Sequence, residues 1–260
     1  MRMKLKGILL IGYCLMCGAG CSVKEDRMEC PCRLILDLSG VDTAMVEEAD
    51  LYVSTSRGFI LNDTLDILNL EKEYELSIPK GKTGVWVYGG ADGYDQGPEG
   101  LKIPYGEDCP EIFMHMDSFD ASDEQYYEKV LLRKNHCVLT IYLHAEIDLD
   151  FDVAITGEVD GYDSEGNPSK GDFRYELSFE GDSVARAILP RQEDASLRLE
   201  ILDSDKTVRV FSLGEYIESS GYDWGSDNLE NITMMLDYAL SSIGFSIEDW
   251  EEEYHFDVVI

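Results

Sequence analysis

The chain has 260 residues, 44% of them hydrophobic, with 53 acidic against 21 basic side chains and a formal charge of −32. A field that negative repels nucleic acid and anionic lipid headgroups, so neither is an expected partner. The apolar content is ample for a packed core, so the charge marks a solvated surface rather than a disordered chain.

The chain opens with Arg2, Lys4 and Lys6, followed by an apolar run over residues 7–16 and then Gly18-Ala19-Gly20-Cys21. That order reads as a secretory signal ending at a lipid-modification site. The run falls short of the roughly 20 apolar residues a spanning helix needs. Cys14 and Cys17 follow Gly12-Tyr13 and Leu15-Met16, which are poorer small-residue flanks than Ala19-Gly20. Gly18 departs from the aliphatic residue usual three places before a lipidated cysteine, and ordinary cleavage with secretion is the plainer alternative. The expectation is a signal peptide over 1–20, a lipidated N-terminal Cys21 held on the outer membrane, and a linker over 21–27. Without residues 1–20 the charge becomes −35, because they hold three basic residues and no acid.

From there the pattern is strands and turns. Residues 33–38, 50–54, 59–61, 74–78, 85–88 and 112–116 are strand-like in length and residue type. A second series covers 137–143, 152–157, 173–179, 184–189, 197–202, 208–211, 232–236, 245–247 and 256–260. Asp160-Gly161, Glu165-Gly166-Asn167, Glu180-Gly181-Asp182 and Asp203-Ser204-Asp205 read as turns between them. Residues 213–218 suit one or two helical turns. No long amphipathic helices alternate with the strands, which excludes a doubly wound α/β fold. The fold class is all-β: two tandem antiparallel β-sandwich domains, 28–130 and 131–260, divided at the acidic, turn-like stretch 117–128.

Four cysteines remain beyond Cys21: Cys30, Cys32, Cys109 and Cys137. In an oxidising compartment they are candidate disulfide partners. Cys30 and Cys32 lie too close for an easy mutual bridge, so each would reach Cys109 or Cys137. Free buried thiols and a four-cysteine zinc site are the alternatives, although the spacing fits no zinc knuckle. No metal or cofactor is expected. His115, His136, His144 and His255 stand outside any His-Glu-x-x-His frame, and no nucleophile elbow or phosphate loop occurs, so no catalytic residue is assigned. His136 and His144 flank one strand and are expected to face solvent; His115 and His255 are expected in structural roles. The turns Asp92-Gly93-Tyr94-Asp95, Asp160-Gly161-Tyr162-Asp163 and Gly221-Tyr222-Asp223 offer oxygen ligands for calcium, but none completes a twelve-residue calcium loop.

The sequence ends on Phe256, Asp257, Val258, Val259 and Ile260. These apolar residues must be buried in a sheet, either as the closing strand of their own domain or as a strand added to a partner's edge.

Cys30-Pro31-Cys32-Arg33-Leu34-Ile35-Leu36-Asp37-Leu38-Ser39-Gly40-Val41, placed soon after Cys21, resembles the start of the fimbrial anchor subunits of Bacteroidales type V pili. Phe211-Ser212-Leu213-Gly214-Glu215-Tyr216-Ile217, the Gly221-Tyr222-Asp223-Trp224 turn, and Trp250 before the final Val-Val-Ile follow in the order of that family. The resemblance covers nearly the whole mature chain. It implies two transthyretin-like sandwiches and a lipoprotein that holds a pilus base at the outer membrane and limits its elongation. It also implies pilin partners joined by strand exchange, with residues 256–260 as the candidate docking strand. The same lineage makes Lys24-Glu25-Asp26 resemble a surface-export signal, and Asp42-Thr43-Ala44, Asp63-Thr64-Leu65 and Asp182-Ser183-Val184 resemble short O-glycosylation sites. A different class of reading is a glycan-binding surface lipoprotein for nutrient uptake, with Trp224, Tyr94 or Tyr105 as aromatic platforms. A third is a calcium-dependent adhesin.

Overall fold

A computed structural model describes residues 29–70, 72–144, 151–180, 183–203, 208–237, 242–247 and 254–257. The first ten strands are β1 (Cys32–Asp37), β2 (Glu48–Thr55), β3 (Ile60–Asp66), β4 (Glu73–Ile78), β5 (Lys82–Gly89), β6 (Asp95–Gly97), β7 (Gly100–Lys102), β8 (Phe113–Asp120), β9 (Gln125–Lys129) and β10 (Arg133–Lys134). The rest are β11 (His136–His144), β12 (Phe151–Tyr162), β13 (Pro168–Glu176), β14 (Phe179–Glu180), β15 (Val184–Pro190), β16 (Arg198–Asp203), β17 (Val208–Phe211), β18 (Ile232–Asp237), β19 (Ser242–Ile247) and β20 (Tyr254–Asp257). A single short helix, Leu213–Ser219, interrupts them among the described residues.

In the first sandwich, the three-stranded sheet β4-β1-β9 faces the five-stranded sheet β10-β8-β5-β2-β3. Period-2 alternation puts Leu34, Leu36, Leu51, Val53, Val85 and Val87 between them. In the second, β14-β15-β11-β18-β19-β20 faces β17-β16-β12-β7-β6, with β13 paired to β12. Leu139, Ile141, Val153, Ile155, Leu199 and Met234 fill that core. Among the described residues pairing is antiparallel except at two matching places: β1 runs parallel to β9, and β11 runs parallel to β18. Each sandwich thus sets its first strand inside a sheet, between an antiparallel and a parallel neighbour.

Three expectations need correction. The stretch 117–128 is not a boundary. It forms the end of β8 and most of β9, joined across a short turn, with Phe119 stacked on Tyr126 at 3.8 Å. Its acidic residues mostly face water, and alternation rather than charge sets the structure. Asp160-Gly161 is no turn either; it lies inside β12, at a register shift, with Gly161 at φ 153° against the Leu101 carbonyl. The sandwiches also do not divide at one chain position. The excursion that carries β6 and β7 leaves the first sandwich and pairs with β12 of the second.

That excursion explains why β5 is buried on both faces. Val85 and Val87 point into the first core, while Trp86 and Tyr88 point into the second. Trp86 Nε1 donates to Ser164 O at 2.8 Å, and Tyr88 Oη donates to Gly97 O at 2.7 Å. Gln96 Nε2 donates to Asp50 Oδ2 at 2.7 Å. Gly84 has no Cβ because the Trp86 ring lies over it; a Cβ there would stand 2.2 Å from the ring. The helix closes the second core with Leu213 and Ile217, and Gly214 lets its backbone meet that of Ala195.

Candidate functional site

Cys21 and the linker lie outside the described residues, as do Val258, Val259 and Ile260. The described chain begins three residues before β1, so any N-terminal tether enters through the middle strand of the three-stranded sheet. Arg33 on that strand donates through Nε to Glu75 at 2.9 Å, tying it to β4. At the other end, Phe256 and Asp257 lie in β20, the outermost strand of the six-stranded sheet. Phe256 sits opposite Ile243, and Asp257 opposite Ser242, antiparallel to β19. The candidate docking strand is thus paired within its own domain along one edge and has no strand neighbour along the other among the described residues.

A second open place lies on the first sandwich. Among the described residues β10 covers only Phe113 and Met114 of β8, and β9 pairs only with β1. Between β8 and β9 runs a cleft of about 480 Å³, bounded across from them by the turns at Glu165-Gly166-Asn167 and Gly225-Ser226-Asp227. His115, Asp117 and Glu128 lie on its β8 and β9 wall. His115 Nε2 stands 3.3 Å from Glu128 Oε1, outside hydrogen-bonding geometry. His115 Nδ1 accepts from Leu131 N at 3.3 Å. Glu128 is buried, and Asp117 beside it is exposed. Burial, reinforced by Asp117, pushes the Glu128 carboxyl up to about 7; burial holds His115 below the ordinary histidine range.

Arg191 organises the junction beneath. It donates to Asn135 Oδ1 at 3.0 Å, to Ser226 O at 2.8 Å and to Trp224 O, while its own N–H donates to Tyr162 Oη at 2.9 Å. Lys134 binds Asn228 and Asn231, and Arg133 pairs with Asp227 at 2.9 Å. Asp108 caps the edge of β15, accepting from Ile188 N at 2.7 Å and Cys109 N at 3.1 Å, and burial raises its carboxyl to about 6. No motif announces Arg191 or Asp108. Their roles come from backbone carbonyls and amides that only the fold brings together.

The four candidate disulfide cysteines are unbonded: Cys30 is exposed, and Cys32, Cys109 and Cys137 are buried. Cys32 belongs to the first core, and Cys109 and Cys137 to the second, so the expected cross-pairing has no geometry. Cys109 and Cys137 do not bridge either. They flank β15, with Cys109 N bonded to Ile188 O and Cys137 in register with Leu189. Two strand spacings put their backbones roughly 9–10 Å apart, beyond the 7 Å a disulfide tolerates.

His136 does not face solvent. It is 3% exposed, its Nδ1 lies 3.1 Å from Ile112 O, and its ring meets Phe113 edge-on, so burial lowers its pKa to about 4. The backbone of His144 ends β11. Among the described residues no group of His, Cys, Asp or Glu converges to hold a metal. Asp160 is buried against Lys102, and Asp163 and Asp223 accept backbone N–H groups within their own turns. Trp224 is 8% exposed, packed in the second core against Tyr222, and therefore cannot be a glycan platform. Tyr94 is half-buried and donates to Asp108 O, which leaves Tyr105 as the exposed aromatic of the three. Of the candidate glycosylation threonines, Thr43 is exposed in a turn, while Thr64 donates its hydroxyl to Asp50.

The fold defines an all-β protein of two sandwiches. The profile of the fimbrillin-A associated anchor proteins Mfa1 and Mfa2 matches residues 112–256, and the chain belongs to that family. No curated protein matches it in sequence. Among solved structures, it is similar to a candidate polysaccharide-binding protein of Bacteroides thetaiotaomicron, at 14% identity and a TM-score of 0.62, covering 86% of this chain and 98% of that one. A candidate adhesin of Bacteroides ovatus superposes at 13% identity and 0.61, over 86% and 95%. The fimbrial anchor protein Mfa2 of Porphyromonas gingivalis does so at 14% and 0.59, over 85% and 98%. These likenesses establish the fold, and the family match ties the chain to fimbriae as a structural subunit.

Proposed function

We propose that this protein is a surface lipoprotein, acylated at Cys21, that holds the base of a fimbria at the outer membrane and limits its elongation. It joins pilin by β-strand exchange. The observation that carries the reading is the family match, which spans β8 through β19 and the first three residues of β20. Two features support it. The apolar, basic-led segment before Gly18-Ala19-Gly20-Cys21 suits export and acylation. Among the described residues β20 is an edge strand with β19 as its one neighbour, so it can leave its sheet or extend it without breaking a core strand.

The test is co-purification of pilin from native outer membranes, wild type beside a variant lacking residues 256–260, with melting curves to confirm that the variant is folded. Pilin held by wild type and lost by the truncation supports both the anchor and the joint. Pilin retained by the truncation leaves the anchor and moves the joint elsewhere. No pilin with either protein overturns the reading. A Cys21→Ala variant is expected to shed fimbriae into the medium.

A further inference from the structure

The two sandwiches share one plan. In chain order β1, β2, β3, β4, β5, β8 and β9 correspond to β11, β12, β13, β15, β16, β17 and β18. The sheet β4-β1-β9 matches β15-β11-β18, and β8-β5-β2-β3 matches β17-β16-β12-β13, with the parallel pair at the same place in each. They part after the last of these strands. In the second sandwich β19 lies antiparallel on the outer edge of β18, from Ile232 opposite Ile247 to Asp237 opposite Ser242. In the first, the chain after β9 crosses to β8 instead, and the outer edge of β9 has no strand neighbour among the described residues. Successive residues of a strand turn their main-chain groups to opposite edges. Arg33 N donates to Glu124 O at 2.9 Å, and Val130 N donates to Asp37 O at 2.9 Å, so the even-numbered residues of this stretch face β1. Gln125, Tyr127 and Lys129 therefore turn their N–H and C=O groups to the free edge.

We propose that the free edge of β9 is a docking site for an extended segment of another protein, basic at alternate positions, which adds antiparallel to β9 as β19 adds to β18. The segment joins the sheet beside β9 while β1 keeps its place, and the site does not depend on the anchor reading.

The chemistry of the occupant follows from what it would face. Tyr126 and Glu128 point inward on β9, so alternate side chains of an added strand enter the cleft of about 480 Å³ between β9 and β8. Asp117, Glu128 and Glu165 stand on that cleft. Its arginines are already engaged: Arg133 pairs with Asp227 at 2.9 Å, and Arg191 donates to Asn135, Trp224 and Ser226. Lys129 points to the outer face of the sheet instead. Residues 117–128 carry Asp117, Asp120, Asp123, Glu124 and Glu128 and no base. A lysine or arginine at the inward positions meets these carboxylates, whereas an acidic strand is repelled by them and by the charge of the whole chain. The edge of β8 on the same side is the poorer template. β10 takes its first two residues, and Asp117 Oδ1 already accepts from Ser118 N at 2.7 Å.

The experiment is hydrogen exchange of the β9 amides in the mature chain, alone and with the end-capped peptide Thr-Lys-Val-Lys-Val-Lys-Thr. In the free chain Tyr126 and Glu128 are expected to be protected, and Gln125, Tyr127 and Lys129 to exchange freely. Saturating peptide is expected to slow those three by about tenfold or more. The same peptide with glutamate for lysine is expected to leave them unchanged. Tyr127→Pro removes the central free-edge donor without touching the β1 ladder, and is expected to abolish the protection. Where melting curves show that this variant does not fold, the lysine peptide N-methylated at its valines takes its place and is expected to protect nothing. Protection of Gln125, Tyr127 and Lys129 in the free chain means that the edge is already covered and overturns the site. Equal protection by the lysine and glutamate peptides overturns it too, as does protection that survives Tyr127→Pro or the N-methylated valines. Protection on Met116 and Ser118 in place of β9 overturns it in favour of β8. Failure of pilin to co-purify would sink the anchor and leave these rates untouched.

Discussion

Trp86 is the side chain through which one strand serves two cores, and its removal tests whether the sandwiches fold as one unit. It is 9% exposed, packs in the second core, covers Gly84 and donates to Ser164 O, whereas its neighbours Val85 and Val87 fill the first core. A buried tryptophan removes about 150–250 Å² from water, worth on the order of 4–6 kcal/mol at 25 cal/mol/Å² as an upper bound. Measured Trp→Ala losses of about 3–5 kcal/mol agree. Losing the bond to Ser164 adds about 1 kcal/mol. Trp86→Ala is therefore expected to destabilise by roughly 4 kcal/mol and, more tellingly, to split unfolding into two transitions. Val85→Ala is expected to lower the single transition without splitting it. The assay is urea unfolding followed by far-UV circular dichroism, with calorimetry to count transitions. A loss under about 1 kcal/mol with a single transition retained would show that the contact is not what joins the two cores.

Other outcomes follow from burial. His136, lowered to about 4, binds fewer protons folded than unfolded, so its stabilising contribution is present above pH 6.5 and lost as pH falls toward 4. The loss is on the order of 3 kcal/mol by the shift between those values. His136→Phe should flatten that part of the melting temperature profile, and an unchanged acid limb would refute the assignment. In the unlipidated domain starting at Glu29, a thiol reagent should label Cys30 alone while folded and Cys32, Cys109 and Cys137 only after denaturation. Native mass lower by two hydrogens would show a bridge instead.

The sequence carried the strands well because alternation and β-branching survive any tertiary context. β1, β2, β11 and β16 lie within two residues of where periodicity puts them, and β5 begins three residues early. It failed where partners outside the segment decide. β6 and β7 are three-residue strands made by pairing with each other and β12, and Gly97 and Gly100 carry no strand signal. β9 hides in an acidic stretch because only its alternate residues, Tyr126 and Glu128, are inward. His136 looked like a strand-end histidine, and only the Ile112 carbonyl and the Phe113 ring make it a buried one. Trp224 sits in an acidic glycine turn that reads as exposed, yet Arg191 draws that turn onto the second core. The parallel placement of β1 beside β9 is a matter of topology, which no local pattern encodes.

That placement bears on how the chain would carry load. A tether entering at β1 pulls on a strand held on both sides, in register with six residues of β4 and five of β9, with Cys32, Leu34 and Leu36 wholly buried. An edge strand peels one hydrogen bond at a time, whereas a central strand must shear two ladders and empty a core. The parallel ladder also closes the sandwich, since β9 is the last strand of its sheet in chain order and β1 the first. Melting temperature measures the consequence. A chain beginning at Glu29 keeps every contact described and is expected to melt like the mature protein. Leu34→Ala, which empties a fully buried leucine site, is expected to lose about 2–5 kcal/mol. A chain beginning at Ser39 should lose the first sandwich altogether, because neither β4 nor β9 then has a partner in its sheet. A cooperative first-sandwich transition in that shortened chain would show that β1 is dispensable, and the tether would then load nothing but itself.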